Sequence, residues 1–144
     1  MRNRKAFTLM ELLVVIAILA GFIALLVPNF MQIRIKSRDM RRKSDLKAIQ
    51  KALELHRQSQ PTPIYPVSTA LASLASNSYI QKIPTDPQGA NYYYNTSDSN
   101  HIYVLCACLE DGTDPEGSAT CTFSDGITAS APTCTGKYYK LNEP

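Results

Sequence analysis

Between Phe7 and Val27 the chain runs for twenty-one residues with a single charge, Glu11. At ~1.5 Å rise per residue, that run makes roughly 31 Å of helix, about one hydrocarbon thickness. It is therefore a membrane span or an equivalent apolar rod. The chain has 144 residues, so what remains must form a small soluble head with a thin core. Gly21 lies inside the run and Pro28 follows it, and both weaken an α-helix. Helical character resumes beyond Pro28. Leu46, Ile49, Leu53 and His56 recur at spacings of three, four and three, with Ala48, Ala52 and Leu55 beside them. This is an amphipathic stripe with charges around its back. One long, bent helix from Phe7 to about Gln58 is expected, apolar all round in its first half and on one face in its second.

The head begins where Pro61-Thr-Pro63-Ile-Tyr65-Pro66 ends the helix. Ser68 or Thr69 is a candidate cap for a short helix through Leu74. Pro84-Thr85-Asp86-Pro87-Gln88-Gly89 is a dense turn cluster. Tyr92–Tyr94 and His101–Leu109, rich in aromatic and β-branched residues, read as a hairpin turning through Asn95–Asn100. Glu110–Gly117 and Gly126–Gly136 read as loops, and Tyr138–Leu141 as a last strand. The fold class is α+β: a small antiparallel sheet laid on the helical stripe between Leu46 and Leu55, since neither apolar surface can stay in water.

Net charge is +3, unevenly spread. Residues 34–57 carry nine Lys/Arg against three acids, whereas residues 58–144 carry three Lys against eight acids. Opposite signs on stem and head can draw copies of a subunit together, although single charges usually belong to solvated surface. The basic stem is also able to touch DNA electrostatically or anionic lipid. Six Lys/Arg between Arg34 and Lys43 outnumber the three before the span, a bias that would put the head in the cytoplasm. Four cysteines, Cys106, Cys108, Cys121 and Cys134, argue for an oxidising compartment instead. Cys106 and Cys108 share one strand face and are poorly placed to bond each other. That leaves Cys106–Cys134 with Cys108–Cys121, the nested choice favoured here, or Cys106–Cys121 with Cys108–Cys134. A zinc site is disfavoured because Cys-x-Cys lacks the usual two-residue gap. His56 and His101 are isolated, and neither a phosphate-binding Gly-rich loop nor a nucleophile–base motif is visible, so the chain does not read as an enzyme.

Ala6-Phe7-Thr8-Leu9-Met10-Glu11-Leu12-Leu13-Val14-Val15-Ile16-Ala17 resembles the class III signal of type IV pilins and type II secretion pseudopilins. The resemblance implies a pilin fold and a division into a leader at 1–6, a membrane or filament-core helix at 7–28, and an extracytoplasmic head at 29–144. It implies cleavage between Ala6 and Phe7 by a prepilin peptidase, with N-methylation of Phe7; Ala6 stands where the family usually has Gly. It gives Glu11 a role in setting assembly register. Tyr79-Ile80-Gln81-Lys82-Ile83-Pro84-Thr85-Asp86-Pro87-Gln88-Gly89, followed by Tyr92 and Tyr94 and preceded by Tyr65-Pro66, is similar to a pattern of the major pseudopilin of type II secretion and of small major pilins. Pseudopilin relatives often bind Ca²⁺ late in the head, and Glu110, Asp111, Asp114 and Glu116 are the oxygen-rich candidates, but their spacing is not that of an EF-hand; an acidic surface loop without metal is the favoured reading, so no cofactor is expected.

The expected function is a structural subunit of a type IV pilus or a type II secretion pseudopilus. It would sit in the bacterial inner membrane, then in a periplasmic or extracellular filament. Implied partners are other copies, minor pilins, the peptidase, a platform protein and an assembly ATPase. The alternative is a monomeric extracellular binding domain on a single-pass anchor. A cleaved secretory signal is a poorer fit, because its apolar region is usually only ~7–15 residues long.

Overall fold

The computed structural model describes residues 7–67, 71–97, 99–122 and 133–142, without the side chains of 27–29. The expected leader 1–6, with Ala6, the caps Ser68 and Thr69, and most of the Gly126–Gly136 loop lie outside the described residues.

The first helix, α1, spans Leu9–Ser59, and its assignment is unbroken at Pro28. The chain divides into two compact units, Met1–Ile35 and Lys36–Pro144. In the first, the described residues from Leu9 onward are helix, started by Thr8. Its Oγ1 accepts the Glu11 N–H at 3.2 Å, and its carbonyl accepts the Leu12 N–H at 3.3 Å. A threonine N-cap of this kind satisfies N–H groups that have no partner inside the first turn. Fourteen large hydrophobic side chains from Phe7 to Leu26 are exposed, Phe7 at 81%.

In the second unit, the remainder of α1 carries the predicted stripe. Leu46, Ile49, Ala52 and Leu53 are buried, while Ala48 and Leu55 are exposed. A short helix α2, Ser73–Ser76, runs past the predicted end at Leu74 and buries that residue. Four strands follow: β1 Tyr93–Ser97, β2 Ile102–Leu109, β3 Gly117–Ser118 and β4 Lys137–Asn142. They form one antiparallel sheet in the order β1-β2-β4-β3. The hairpin turn is tighter than its composition suggested. Asn95–Ser97 stay in β1, with Ser97 opposite Ile102, and Ser99 and Asn100 make the reversal at positive φ. Gly117 of β3 closes the predicted Glu110–Gly117 loop and Ser118 has no predicted element, since two residues with no apolar alternation give no strand signal.

Alternation along β2 sorts its two faces. Tyr103, Leu105, Ala107 and Leu109 join Leu46, Ile49, Ala52 and Leu53 of α1 in the main core, with Tyr65, Leu74, Tyr94 and Tyr139. Val104 and Cys106 face the other way and are buried with Cys121. Tyr65 packs edge-on to Tyr103 at 4.6 Å between ring centroids, and its N–H bonds the Asn100 carbonyl at 2.8 Å. The Tyr94 hydroxyl donates to the Pro66 carbonyl at 2.6 Å. The Tyr65-Pro66 pair thus fastens the loop after α1 to the hairpin.

The nested disulfide pairing is not the one found. The bridges are Cys106–Cys121 and Cys108–Cys134, with Cα separations of 6.2 and 5.5 Å. Strand register explains the correction. Lys137 faces Leu109, so Cys134, three residues earlier, arrives beside Cys108. Lys140 faces Cys106, and its ammonium donates to the Thr122 carbonyl at 3.3 Å, which brings Cys121 over Cys106.

β4 enters the sheet through Gly136, where an added Cβ would lie 1.9 Å from the Leu109 carbonyl oxygen. Backbone there cannot yield as a flexible side chain would. Gly136→Ala is expected to destabilise the head by about 2–4 kcal/mol, of the size of the larger single-residue effects, measured by urea unfolding with the disulfides intact.

Candidate functional site

Two constellations stand out, one in each unit. The first is the start of α1. Phe7 and Glu11 are exposed, and Glu11 is the single charge of the apolar run. Thr8-Leu9-Met10-Glu11 has the spacing of a capping box, and its Thr8 half is formed. That signal was in the sequence but was not used. It gives Thr8 the task of starting the helix and leaves the Glu11 carboxylate for another partner.

The second is an ionic tie between α1 and the head. The apolar stripe continues toward the N-terminus as Arg42 and Asp39, keeping the 39/42/46/49/53 spacing of one helix face. Both are 2% exposed. Arg42 Nη1 donates to Asp39 Oδ1 and to Glu110 Oε1, each at 2.7 Å. Its Nε bonds Asp86 Oδ2, and its Nη2 bonds Asp86 Oδ1 at 3.1 Å and Gln88 Oε1 at 3.4 Å. Asp39 completes its own bonding by accepting the backbone N–H groups of Glu110 and Asp111, at 3.0 and 2.8 Å. Arg38 Nε adds a bond to Glu110 Oε1 at 2.7 Å. These charges had been counted as solvated surface. Arg42 and Asp39 are instead the polar end of the core, because each finds oppositely charged partners that offset removal from water.

The Pro-Thr-Asp-Pro-Gln-Gly turn exists to aim Asp86. Asp86 Oδ1 accepts the Gln88 N–H at 2.8 Å, its carbonyl accepts the Gly89 N–H at 2.8 Å, and its own N–H bonds the Ala90 carbonyl. Gly89 sits at φ +88, a conformation that disfavours a Cβ. Tyr92, just past the turn, donates to Asp45 Oδ2 at 2.7 Å.

Lys43 continues the tie. Its ammonium meets Asp114 Oδ1 and Oδ2 at 2.9 and 2.7 Å and Glu116 Oε2 at 2.7 Å. The four carboxylates weighed as calcium candidates are thus divided: Glu110 goes to Arg38 and Arg42, and Asp114 and Glu116 to Lys43. Asp111 Oδ1 accepts from the N–H and hydroxyl of Thr113. Among the described residues no group of three or more His, Cys, Asp or Glu is arranged to hold a metal ion. Divided in this way, the four carboxylates do not converge on one point, whereas Ca²⁺ takes six to eight oxygens around one centre.

The pKa shifts follow the geometry. Hydrogen bonds from Arg38, then Arg42, hold the Glu110 carboxyl down at about 2. Arg42 bonding holds Asp86 below its usual range. Burial opposes the charge on Arg42, but its bonds to Asp86, Asp39 and Glu110 outweigh burial and raise its pKa. His56 is half-buried with its ring edge-on to Tyr79, and His101 is exposed in the hairpin turn.

A family model for the prokaryotic N-terminal methylation motif matches residues 1–27. The type II secretion system core protein G of Escherichia coli (strain K12) is 30% identical over 122 residues, covering 76% of this chain and 84% of that protein. The chain belongs to this pseudopilin family. The core protein G of Vibrio cholerae is 29% identical over 134 residues, 82% of this chain and 90% of its own. That of Klebsiella pneumoniae is 33% identical over 106 residues, 64% and 74%. No solved structure matches. The family is structural rather than enzymatic. For this pseudopilin, the motif and an apolar helix long enough to cross a membrane fit an inner-membrane-anchored subunit.

Removing Arg42 leaves Asp39 and Asp86 buried without their cation, a loss of roughly 3–5 kcal/mol for a broken buried pair. Arg42→Met should show it as a lowered urea midpoint. The acid response has a defined sign. Glu110 has a depressed folded pKa, so its contribution is present above the usual carboxyl value of 4.5 and is lost as pH falls toward about 2. Thermal melts between pH 5 and pH 2 should show a steep decline that Glu110→Gln makes shallower.

Proposed function

We propose that this pseudopilin is cleaved between Ala6 and Phe7 by a prepilin peptidase, N-methylated at Phe7, and polymerised through residues 7–27 into a secretion pseudopilus. The observation that carries this reading is the apolar surface of fourteen exposed large side chains from Phe7 to Leu26, against which nothing among the described residues of its own compact unit packs. Burial of each such side chain contributes about 1.5–3 kcal/mol, so lipid and then neighbouring copies are the environments in which the segment is stable. In the membrane the subunit is stored; in the filament the same surface is covered by other copies and by minor pseudopilins. A platform protein and an assembly ATPase would drive the transfer, with the head on the extracytoplasmic side, where its disulfides persist.

Glu11 supplies the register. An ionised carboxylate at the centre of a bilayer costs ~2.5–3.5 kcal/mol even on the milder scale. Cleavage creates an amine on Phe7, four residues before Glu11, and an amine on the same or an adjacent copy is a cation at matching depth. A longitudinal slip between copies separates the charges, and the correct stagger joins them. The likeness to core protein G favours a pseudopilus over a surface pilus.

In cells carrying the secretion system, Glu11→Ala should abolish pseudopilus assembly while leaving the subunit in the membrane fraction, and Glu11→Asp should retain part of it. Wild-type filament yield from Glu11→Ala would exclude the register role. Correctly inserted wild-type subunits that never form filaments would favour the anchored monomer.

A further inference from the structure

The acidic loop between β2 and β3 has the composition of a cation site, and it already holds a cation. Both Asp114 oxygens and Glu116 Oε2 lie within 2.9 Å of Lys43 Nζ, so three carboxylate oxygens close on one ammonium. The Lys43 side chain is 18% exposed, and Nζ stands 5.3 Å from the centre of the Tyr139 ring. The Asp114 carbonyl is engaged as well, by the Gly117 N–H at 3.1 Å and Lys137 Nζ at 3.3 Å. Gly117 is packed so closely that a Cβ would lie 2.6 Å from the Lys137 side chain. Glu110, at the loop's start, is taken by two guanidiniums. Elsewhere in the head, Cys106–Cys121 ties β2 to the segment after β3, and Cys108–Cys134 ties β2 to the segment before β4.

Calcium would perform one physical task in such a loop: it would neutralise converging carboxylates and fix their spacing. Lys43 performs that task from α1. Its position is set by the helix, so the cation is delivered by folding and does not depend on free ion concentration. Burial works against the ammonium, but its bonds to Asp114 and Glu116 outweigh it and raise the Lys43 pKa. We infer that the Lys43 ammonium stands in place of a divalent cation in this pseudopilin, making the head's stability independent of Ca²⁺. This goes beyond the assembly reading and can fail separately from it, because the test requires no filament.

The test uses the full chain, disulfides intact, in detergent micelles. Wild-type melting followed by near-ultraviolet circular dichroism should be the same in millimolar CaCl₂ and in EDTA. Lys43→Met in EDTA should melt roughly 4–8 °C lower, and Lys43→Arg, which keeps the cation, should recover most of that loss. Tyrosine-sensitised Tb³⁺ luminescence on the wild type, which does not depend on any variant folding, should show no saturable binding. A calcium-raised wild-type melting point, a saturable one-to-one Tb³⁺ signal, or Lys43→Met melting like wild type would each overturn the inference.

Discussion

A guanidinium taken out of water must find carboxylates, and Arg42 finds three from different parts of the head. Asp39 comes from its own helix, Asp86 from the turn before the sheet, and Glu110 from the end of β2. Each partner is itself held: Asp39 by two backbone N–H groups, Asp86 by its turn, Glu110 by Arg38. Buried ion pairs contribute little net stability against an apolar alternative, but a misplaced partner is heavily penalised. The tie therefore specifies where the turn and the loop after β2 sit against α1. The apolar core from Leu46 to Leu53 provides the bulk of the driving force, and Arg42 provides the register.

That division separates two tasks within one helix. Beyond Lys36 the helix buries Leu46, Ile49, Ala52 and Leu53 and pairs Arg38, Arg42 and Lys43 inside its own compact unit, while Met40 and Leu55 stay exposed. Before Ile35 it presents apolar side chains that nothing among the described residues of its own unit covers, with one carboxylate among them. Much of the attraction between basic stem and acidic head is also spent within the chain, by Arg38, Arg42 and Lys43. Arg34, Lys36, Arg41, Lys47 and Lys51 remain exposed, and no ion pair to any of them is found among the described residues. A head with its own core and an apolar segment exposed in its own unit are consistent with the proposed storage in a membrane and assembly with neighbouring copies.

The apolar run, the 3.6-residue stripe, the hairpin and the last strand were legible because each is a periodicity or a composition switch. The Tyr-Pro and Pro-Asp-Pro-Gly patterns were legible as turns, but their purpose was not. That Asp86 meets Arg42, or Tyr94 meets the Pro66 carbonyl, depends on tertiary register that no local pattern carries. Asp39 and Arg42 were misread because charge was weighed ahead of position; their place on the stripe at 39, 42, 46 and 49 was the available signal. The disulfide choice failed for a related reason. Nesting was a guess about chain path, whereas the outcome is dictated by which β2 residue faces Lys137 and which faces Lys140. β3 has two residues and exists only because β4 offers it an edge.

The central claim is that residues 7–27 form the core of a filament in which Glu11 is compensated by a Phe7 amine. Electron cryo-microscopy of filaments built from this chain tests it directly. Density is expected for 7–27 of neighbouring copies packed together at the filament axis, beginning at Phe7, with each Glu11 carboxylate within hydrogen-bond reach of a Phe7 nitrogen. Filaments whose core is formed by the heads, or in which Glu11 faces apolar side chains with no amine near it, would contradict the account.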